Sequence, residues 1–373
     1  MPLTRRDFLV GSAAVCATLQ TMVEPSAGGI SDFPQFDTSK SLGERAAAKG
    51  ILFGTALNGT ALKNDRAYTD IIASQCRIGV PESSLKWKAL RPAPNRYDFS
   101  QGDYLYQFLS SYGMKYRGHT LVWEEALPSW FHNTVNPSNA KAMMLEHIRV
   151  VVRHYAGKMQ SWDVVNEAID LDDGRPDGLK NTPWLQMIGP EYIEIAFHAA
   201  HEADPRAKLV YNDNWIEPED RPTEKKRQAT LALLTELKKK GVPIHGLGVQ
   251  SHLFAETIVG GPMFARFLDQ VADLGLEVLI TEMDIRDQNL KGSVEARDKA
   301  VAQKYYDYLS FMLQRKSVKA VLTWGLSSRY TWITQHNPRH DGSPVRPLPY
   351  DADLKPTLAW NAIAAAFDHA AAR

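Results

Sequence analysis

Eight short apolar runs alternate with eight amphipathic stretches along this chain, and that alternation limits the fold more than any other feature. The runs lie at 51–56, 78–82, 115–121, 162–166, 208–212, 246–251, 278–281 and 320–325. Stretches with helical periodicity follow them at 64–75, 101–112, 138–156, 190–203, 222–240, 262–274, 294–315 and 356–370. Strict strand–helix alternation requires parallel strands joined by crossover helices. Eight such units predict one closed α/β barrel, a (β/α)₈ domain, rather than an open doubly wound sheet. No Gly-x-Gly-x-x-Gly turn follows the first run, which argues against a dinucleotide fold. Pro137-Ser138 and Pro222-Thr223, the latter with Glu224 close behind, read as helix starts. Gly113, Gly157, Gly241 and Gly275 stand at helix exits, where a left-handed cap suits glycine.

In such a barrel the reacting groups sit at the C-terminal ends of the strands. Two runs end there in a carboxylate: Trp162-Asp163-Val164-Val165-Asn166-Glu167 and Val278-Leu279-Ile280-Thr281-Glu282. Alternation along a strand groups Glu167 with Val165 and Asp163, and Glu282 with Ile280 and Val278. One glutamate at a strand end is most simply a salt-bridge partner. Two form the minimum equipment for cleaving a glycosidic bond, one protonated to give to the leaving oxygen and one ionised to attack or to activate water. The same parity puts Glu82, His119 with Trp123, Tyr211 with Asp213, Gln250 with His252, and Trp324 at five other strand ends. Each alone has a structural explanation; five together point to a cleft.

Several of these motifs in order resemble glycoside hydrolase family 10, the family of retaining endo-β-1,4-xylanases. The likeness is carried by Gly118-His119-Thr120-Leu121-Val122-Trp123, Trp162 to Glu167, Tyr211-Asn212-Asp213, Gln250-Ser251-His252 and Ile280-Thr281-Glu282-Met283-Asp284, spread over about residues 42–367. The resemblance implies that Glu167 is the general acid/base and Glu282 the nucleophile, about 5–5.5 Å apart as double displacement requires. It makes His252 the partner of the nucleophile, Asp284 the acid behind that histidine, and Asn166 the holder of the sugar 2-hydroxyl. Tyr211 and Gln250 are expected to shape the same subsite. Glu82, Lys86 and His119 match polar groups on the non-reducing side of the cleft, and Trp123, Trp324 and Trp332 match its aromatic lining. Trp332 falls in the long 327–353 segment after the eighth run, which reads as a functional cleft loop, with a disordered insertion as the alternative for its 337–347 part.

Three departures from the family pattern bear on substrate. Ser83 replaces the asparagine that usually follows Pro-Glu. Glu124-Glu125-Ala126 replaces His-x-Gln after Trp123. Asn214-Trp215 replaces Tyr-Asn after Asp213. The catalytic pair is kept while sugar contacts change. The expected activity is therefore hydrolysis of xylan, with a β-glycosidase for short, branched or other β-glycan oligosaccharides as the alternative. A sugar-binding barrel that has lost catalysis is a third reading, which the presence of both glutamates opposes.

The chain's ends and charge complete the expectations. Residues 1–27 read as a twin-arginine (Tat) signal, from Thr4-Arg5-Arg6-Asp7-Phe8-Leu9 through an apolar run to Pro25-Ser26-Ala27. Residues 28–41 read as a lead-in and 42–373 as the catalytic barrel. Cleavage removes Cys16 and leaves Cys76 without a partner, which suits a protein that folds before export. The 43 basic and 43 acidic residues cancel, giving no excess to draw nucleic acid or an anionic membrane. The partner expected is an uncharged β-glycan, the protein a periplasmic or secreted bacterial monomer with no lasting membrane insertion. No cofactor is expected and no metal, since neither His-x-His nor His-Glu-x-x-His occurs.

Overall fold

The computed structural model describes residues 37–373. The expected leader, 1–27, and most of the lead-in lie outside the described residues. Nine strands form: β1 (Leu52–Leu57), β2 (Ile78–Pro81), β3 (Lys115–Gly118), β4 (Met159–Asn166), β5 (Lys208–Asp213), β6 (Gly246–Val249), β7 (His252–Phe254), β8 (Glu277–Arg286) and β9 (Val318–Thr323). All pair in parallel in the order β6-β5-β4-β3-β2-β1-β9-β8, and a further β6–β8 pairing closes the ring. The short β7 continues beyond β6 and, among the described residues, pairs only with β8. The fold is the eight-stranded barrel that the alternation predicts.

The register assigns the inner face. Ala56 pairs with Val80, Val210 with Gly246, and Leu279 with Ala320. Ala56, Val80, Val210, Leu279 and Ala320 pack with Ile78, Leu322 and Trp324 into the barrel's apolar filling. Such packing makes the interior a core rather than a pore, so any substrate must bind at the rim. The inner face is not wholly apolar. Arg117 and Asp163, both buried, form an ion pair inside the barrel, and Arg117 also donates to Ser161 Oγ at 2.8 Å.

The outer layer departs from expectation mainly at its boundaries. The expected helix 64–75 begins two residues later, at Arg66, because Asp65 leaves helical geometry and caps it through Tyr68 N at 3.1 Å, and a separate short helix, Gly59–Asn64, precedes it. The fifth crossover helix starts at Arg221, one residue early, since Asp220 and not Thr223 accepts the capping bond. The third starts at Ala140, after Pro137-Ser138, without a side-chain cap. The 337–347 segment is held rather than loose. Arg339, almost fully buried, donates to the carbonyls of Asp287 and Leu290, and Arg346 grips Asp298 through two bonds of 2.6 and 2.8 Å. Its richness in Pro, Gly and Arg marks a loop pinned by guanidinium–carbonyl contacts, which composition alone does not distinguish from disorder.

Candidate active site

Both glutamate-bearing strands contain an irregularity that simple alternation misses. In β4 the register slips between Asp163 and Val165, so Asp163 pairs with inner Val210 and Asn166 with inner Asn212. Asn166, not Val165, therefore shares the inner face with Asp163, and Glu167 turns off the strand with a φ of 55°. In β8 the register slips between Ile280 and Met283. Leu279 and Thr281 face inward while Ile280 faces the helices, the reverse of the expected grouping. A bulge inserts one residue and re-aims the side chains beyond it. Here it brings Glu282 to the mouth despite the wrong parity.

The same register corrects strand five. Val210 and Asn212 are the inner residues, so Tyr211 and Asp213 lie on the outer face, both fully buried. Helix Arg221–Lys239 supplies Lys226, 2.9 Å from Asp213, and the Tyr211 hydroxyl donates to Asp213 while accepting from Ala168 N at 3.1 Å. Tyr211 thus braces the backbone behind Glu167 and does not line the cleft. Asn212, which strand alternation assigns to the wrong face, takes the inner position: its amide donates to Glu282 at 2.8 Å and to Asn166 at 2.7 Å. The space it needs comes from Gly248, where a Cβ would stand 2.1 Å from Asn212 Oδ1.

The remaining expected residues converge on a cleft of about 500 Å³ at the C-terminal ends of the strands. Glu167 and Glu282 face it, both nearly buried. Glu167 accepts from Trp123 Nε1 at 3.0 Å and from Gln250 Nε2 at 2.8 Å. Glu282 accepts from Asn212 and from His252 Nε2 at 3.3 Å, and His252 Nδ1 lies 2.9 Å from Asp284. Trp332 donates to the same Asp284 oxygen at 2.9 Å and sits edge-on to His252. Lys86 stands over the rings of Trp123 and Trp324 at 4.8 and 5.8 Å. Glu82, held by Asn58 at 3.1 Å, flanks it from β2. His119 lies against Asp163 at 3.0 Å and 4.0 Å from Glu282. Of the residues that the motifs single out at strand ends, Tyr211 and Asp213 lie behind the cleft rather than in its lining.

Electrostatics fixes the state of Glu282. Burial pushes the Glu282 carboxyl up, but attraction to His119, the His252 hydrogen bond and the Lys86 ammonium outweigh it and hold the group down at about 2. Burial also works against a charged His252, yet Asp284 and Glu282 on either side raise it to about 9. At neutral pH His252 is therefore an imidazolium between two carboxylates. Burial raises Glu82 and lowers Lys86, whose ammonium the surrounding carboxylates partly sustain. Beside Glu167 lies Lys180, 3.8 Å from Oε2 and paired with Glu124 and Glu125. The unusual Glu124 thus has a cation to neutralise it.

Support for the tripeptide Gln250-Ser251-His252 is equally definite. It hands one donor to each glutamate, with Ser251 between them at a φ of 64°. The buried Glu217 carboxylate accepts from Ser251 N at 2.7 Å, and the Ser251 hydroxyl meets Tyr308 at 2.7 Å. A left-handed non-glycine residue costs about 1–3 kcal/mol and persists only when its surroundings hold it. Glu217 and Tyr308 are that restraint. A second hollow, about 530 Å³ between the Gly59–Asn64, Arg66–Gln75 and Ser100–Ser111 helices, contains no Asp or Glu in its lining.

The model of glycosyl hydrolase family 10 matches residues 41–366. The chain belongs to that family. It is therefore a glycoside hydrolase on a (β/α)₈ barrel. It is 37% identical over 301 residues to a β-1,4-xylanase of Dictyoglomus thermophilum, covering 79% of this chain and 82% of that one. It is 33% identical to the exoglucanase XynX of Acetivibrio thermocellus over 83% of its own length, but spans only 28% of that longer protein. Among solved structures, xylanase 10B of Thermotoga petrophila in complex with xylobiose superposes with a TM-score of 0.80 at 32% identity, covering 88% of this chain and 97% of that one.

Proposed function

We propose that this family 10 hydrolase is a retaining endo-1,4-β-xylanase. The observation that carries the mechanism is the asymmetric support of two cleft glutamates. Glu282, held ionised by Asn212 and His252, attacks the anomeric carbon as the glycosidic C–O bond breaks, while Glu167 gives its proton to the leaving oxygen. Water then attacks the glycosyl ester, Glu167 takes its proton, and Glu282 leaves as the carboxylate. The hydrogen-bond relay Glu282–Asn212–Asn166–Gln250–Glu167, with links of 2.8, 2.7, 3.4 and 2.8 Å, ties the pair together, as a fixed separation of about 5–5.5 Å demands. Asn166 Nδ2 is buried with no hydrogen-bond partner among the described residues. A sugar 2-hydroxyl at the cleaved bond would satisfy it.

Xylan as substrate rests on the relatives, one named a β-1,4-xylanase and one holding xylobiose, together with the Trp123, Trp324 and Trp332 rings around the cleft. Glu282→Ala is expected to lower kcat on xylan by at least about 10⁴-fold at unchanged fold. Turnover that survived this change would remove Glu282 from the nucleophile's role. A preference for short or branched oligosaccharides is favoured by one observation. Ser83 lines the cleft where the family has an amide, and Ala126 is buried away from it. Higher kcat/KM on xylotriose than on polymeric xylan would select that second reading. The leader reading is part of the same proposal. Replacing both Arg5 and Arg6 by Lys is expected to hold the protein in the cytoplasm, and unchanged export would refute a twin-arginine signal.

A further inference from the structure

The proposed catalytic chemistry leaves one cleft wall unused. β7 and β8 place Phe254 beside Arg286, and Trp215 follows β5 on the adjoining loop. The Trp215 ring stacks on Phe254 with centres 6.1 Å apart and planes at 29°. Arg286 caps the other end of this row, its guanidinium 5.2 Å from the Phe254 ring and 5.0 Å from Trp332. Trp215 is 44% exposed, an unusual state for an indole, and it faces the cleft together with Arg286. Its backbone is held at a φ of 51°. This is where the sequence departs from its family, with Asn214-Trp215 in place of Tyr-Asn.

Arg286 is also electrically incomplete. Its Nε stands 3.8 Å from Asp284 Oδ1 and makes no hydrogen bond, and Asp284 Oδ2 is already engaged by His252 and Trp332. No hydrogen bond from the guanidinium to protein reaches any described residue. Lys86, another cation of the cleft lining, stands near Glu82 and Glu282. A neutral sugar chain gives a guanidinium only weak hydroxyl contacts, whereas a carboxylate matches its fork in shape and charge.

In the ring of strands, β6 stands opposite β2. The Trp215–Phe254–Arg286 wall therefore faces away from Glu82 and Lys86, across the two glutamates. We infer that this wall is a subsite for the leaving side of the substrate, with Trp215 as platform for a sugar ring and Arg286 as receptor for a carboxylate carried on an acidic sugar branch. The inference rests on the proposed cleavage of a β-1,4-pentose backbone and names the decorated form it would accept.

The test is kcat/KM on three substrates: linear xylotetraose, xylotetraose bearing one glucuronic acid branch, and the same branched compound with its carboxyl reduced to the alcohol. The wild-type protein is expected to favour the acid over its reduced form by about tenfold at low salt, falling several-fold at about 0.5 M salt. Arg286→Gln should bring that ratio to about one, and Arg286→Lys should keep part of it. Trp215→Ala should lower kcat/KM on both branched compounds by a similar factor while leaving their ratio intact. Turnover of all three with a wild-type ratio near one, or a ratio that Arg286→Gln leaves unchanged, overturns the carboxylate receptor and spares the backbone activity. Equal kcat/KM for wild type and Trp215→Ala overturns the platform. No turnover of even linear xylotetraose overturns the underlying xylanase reading, and this subsite with it.

Discussion

At the scale of single residues, His252 has the clearest thermodynamic signature. Its folded pKa is raised above the ordinary histidine value to about 9, so its contribution to stability is fully present below about pH 6.5 and is lost as pH rises through 9. Glu282 works in the opposite direction. Its folded pKa is depressed to about 2, so its contribution is present above the ordinary glutamate range and is lost as pH falls through 2. Thermal melts of the wild type should therefore decline between pH 7 and 9.5 by more than those of His252→Gln; parallel curves would show that the imidazolium is not held as described. Ser83 gives a second prediction. It lines the cleft beside Lys86, and Ser83→Asn would restore a bidentate amide there, lowering KM for xylo-oligosaccharides by roughly three- to tenfold with little change in kcat. An unchanged KM would mean that the position does not meet the sugar. Both catalytic candidates were legible in the chain because a carboxylate at the tip of a buried strand is chemically conspicuous. Asn212 was not, because it stands between Tyr211 and Asp213, whose polarity drew the inner face onto them. Only Val210, an inner neighbour by register, corrects it.

At the scale of elements, the bulges in β4 and β8 decide what reaches the mouth. Period-two reading fails at both because one extra residue reverses the faces beyond it. The motifs survived that failure since they depend on order along the chain rather than on parity. Gly248 shows how one element serves another: its missing side chain gives β5's Asn212 the room to reach β8's Glu282. Gly248→Ala is expected to cut kcat by about 10- to 100-fold with KM little altered, and an unaffected kcat would separate Asn212 from the nucleophile. Deeper in the barrel, Arg117 and Asp163 join β3 to β4 beneath His119. Arg117→Met leaves the buried Asp163 carboxylate with His119 as its remaining side-chain partner, and a loss of about 3–5 kcal/mol is expected in denaturant unfolding. A loss under about 1 kcal/mol would mean that the pair is not desolvated. Charged residues alternating inside a short strand, as Lys115 and Arg117 do, were the available sign of this pair.

At the scale of the whole molecule, the fold follows from alternation and closure, and the cleft from where parallel strands end. The two corrections of wider extent have physical reasons. The helix expected at 64–75 begins at Arg66 because Asp65 is a better cap than helix residue. The 337–347 segment is ordered by Arg339 and Arg346, whose partners Asp287 and Asp298 lie about fifty residues earlier in the chain. Among the described residues no helix is long and apolar enough to cross a membrane. Under the proposed roles Glu282 forms a covalent intermediate which Glu167 helps to resolve, and the stereochemistry of the first product tests those roles most directly. The purified protein should be mixed with polymeric xylan in an NMR tube and the anomeric protons followed before mutarotation. The β-anomer is expected to appear first and the α-anomer to grow from it. An α-anomer appearing first would contradict double displacement and with it the assigned roles of the two glutamates.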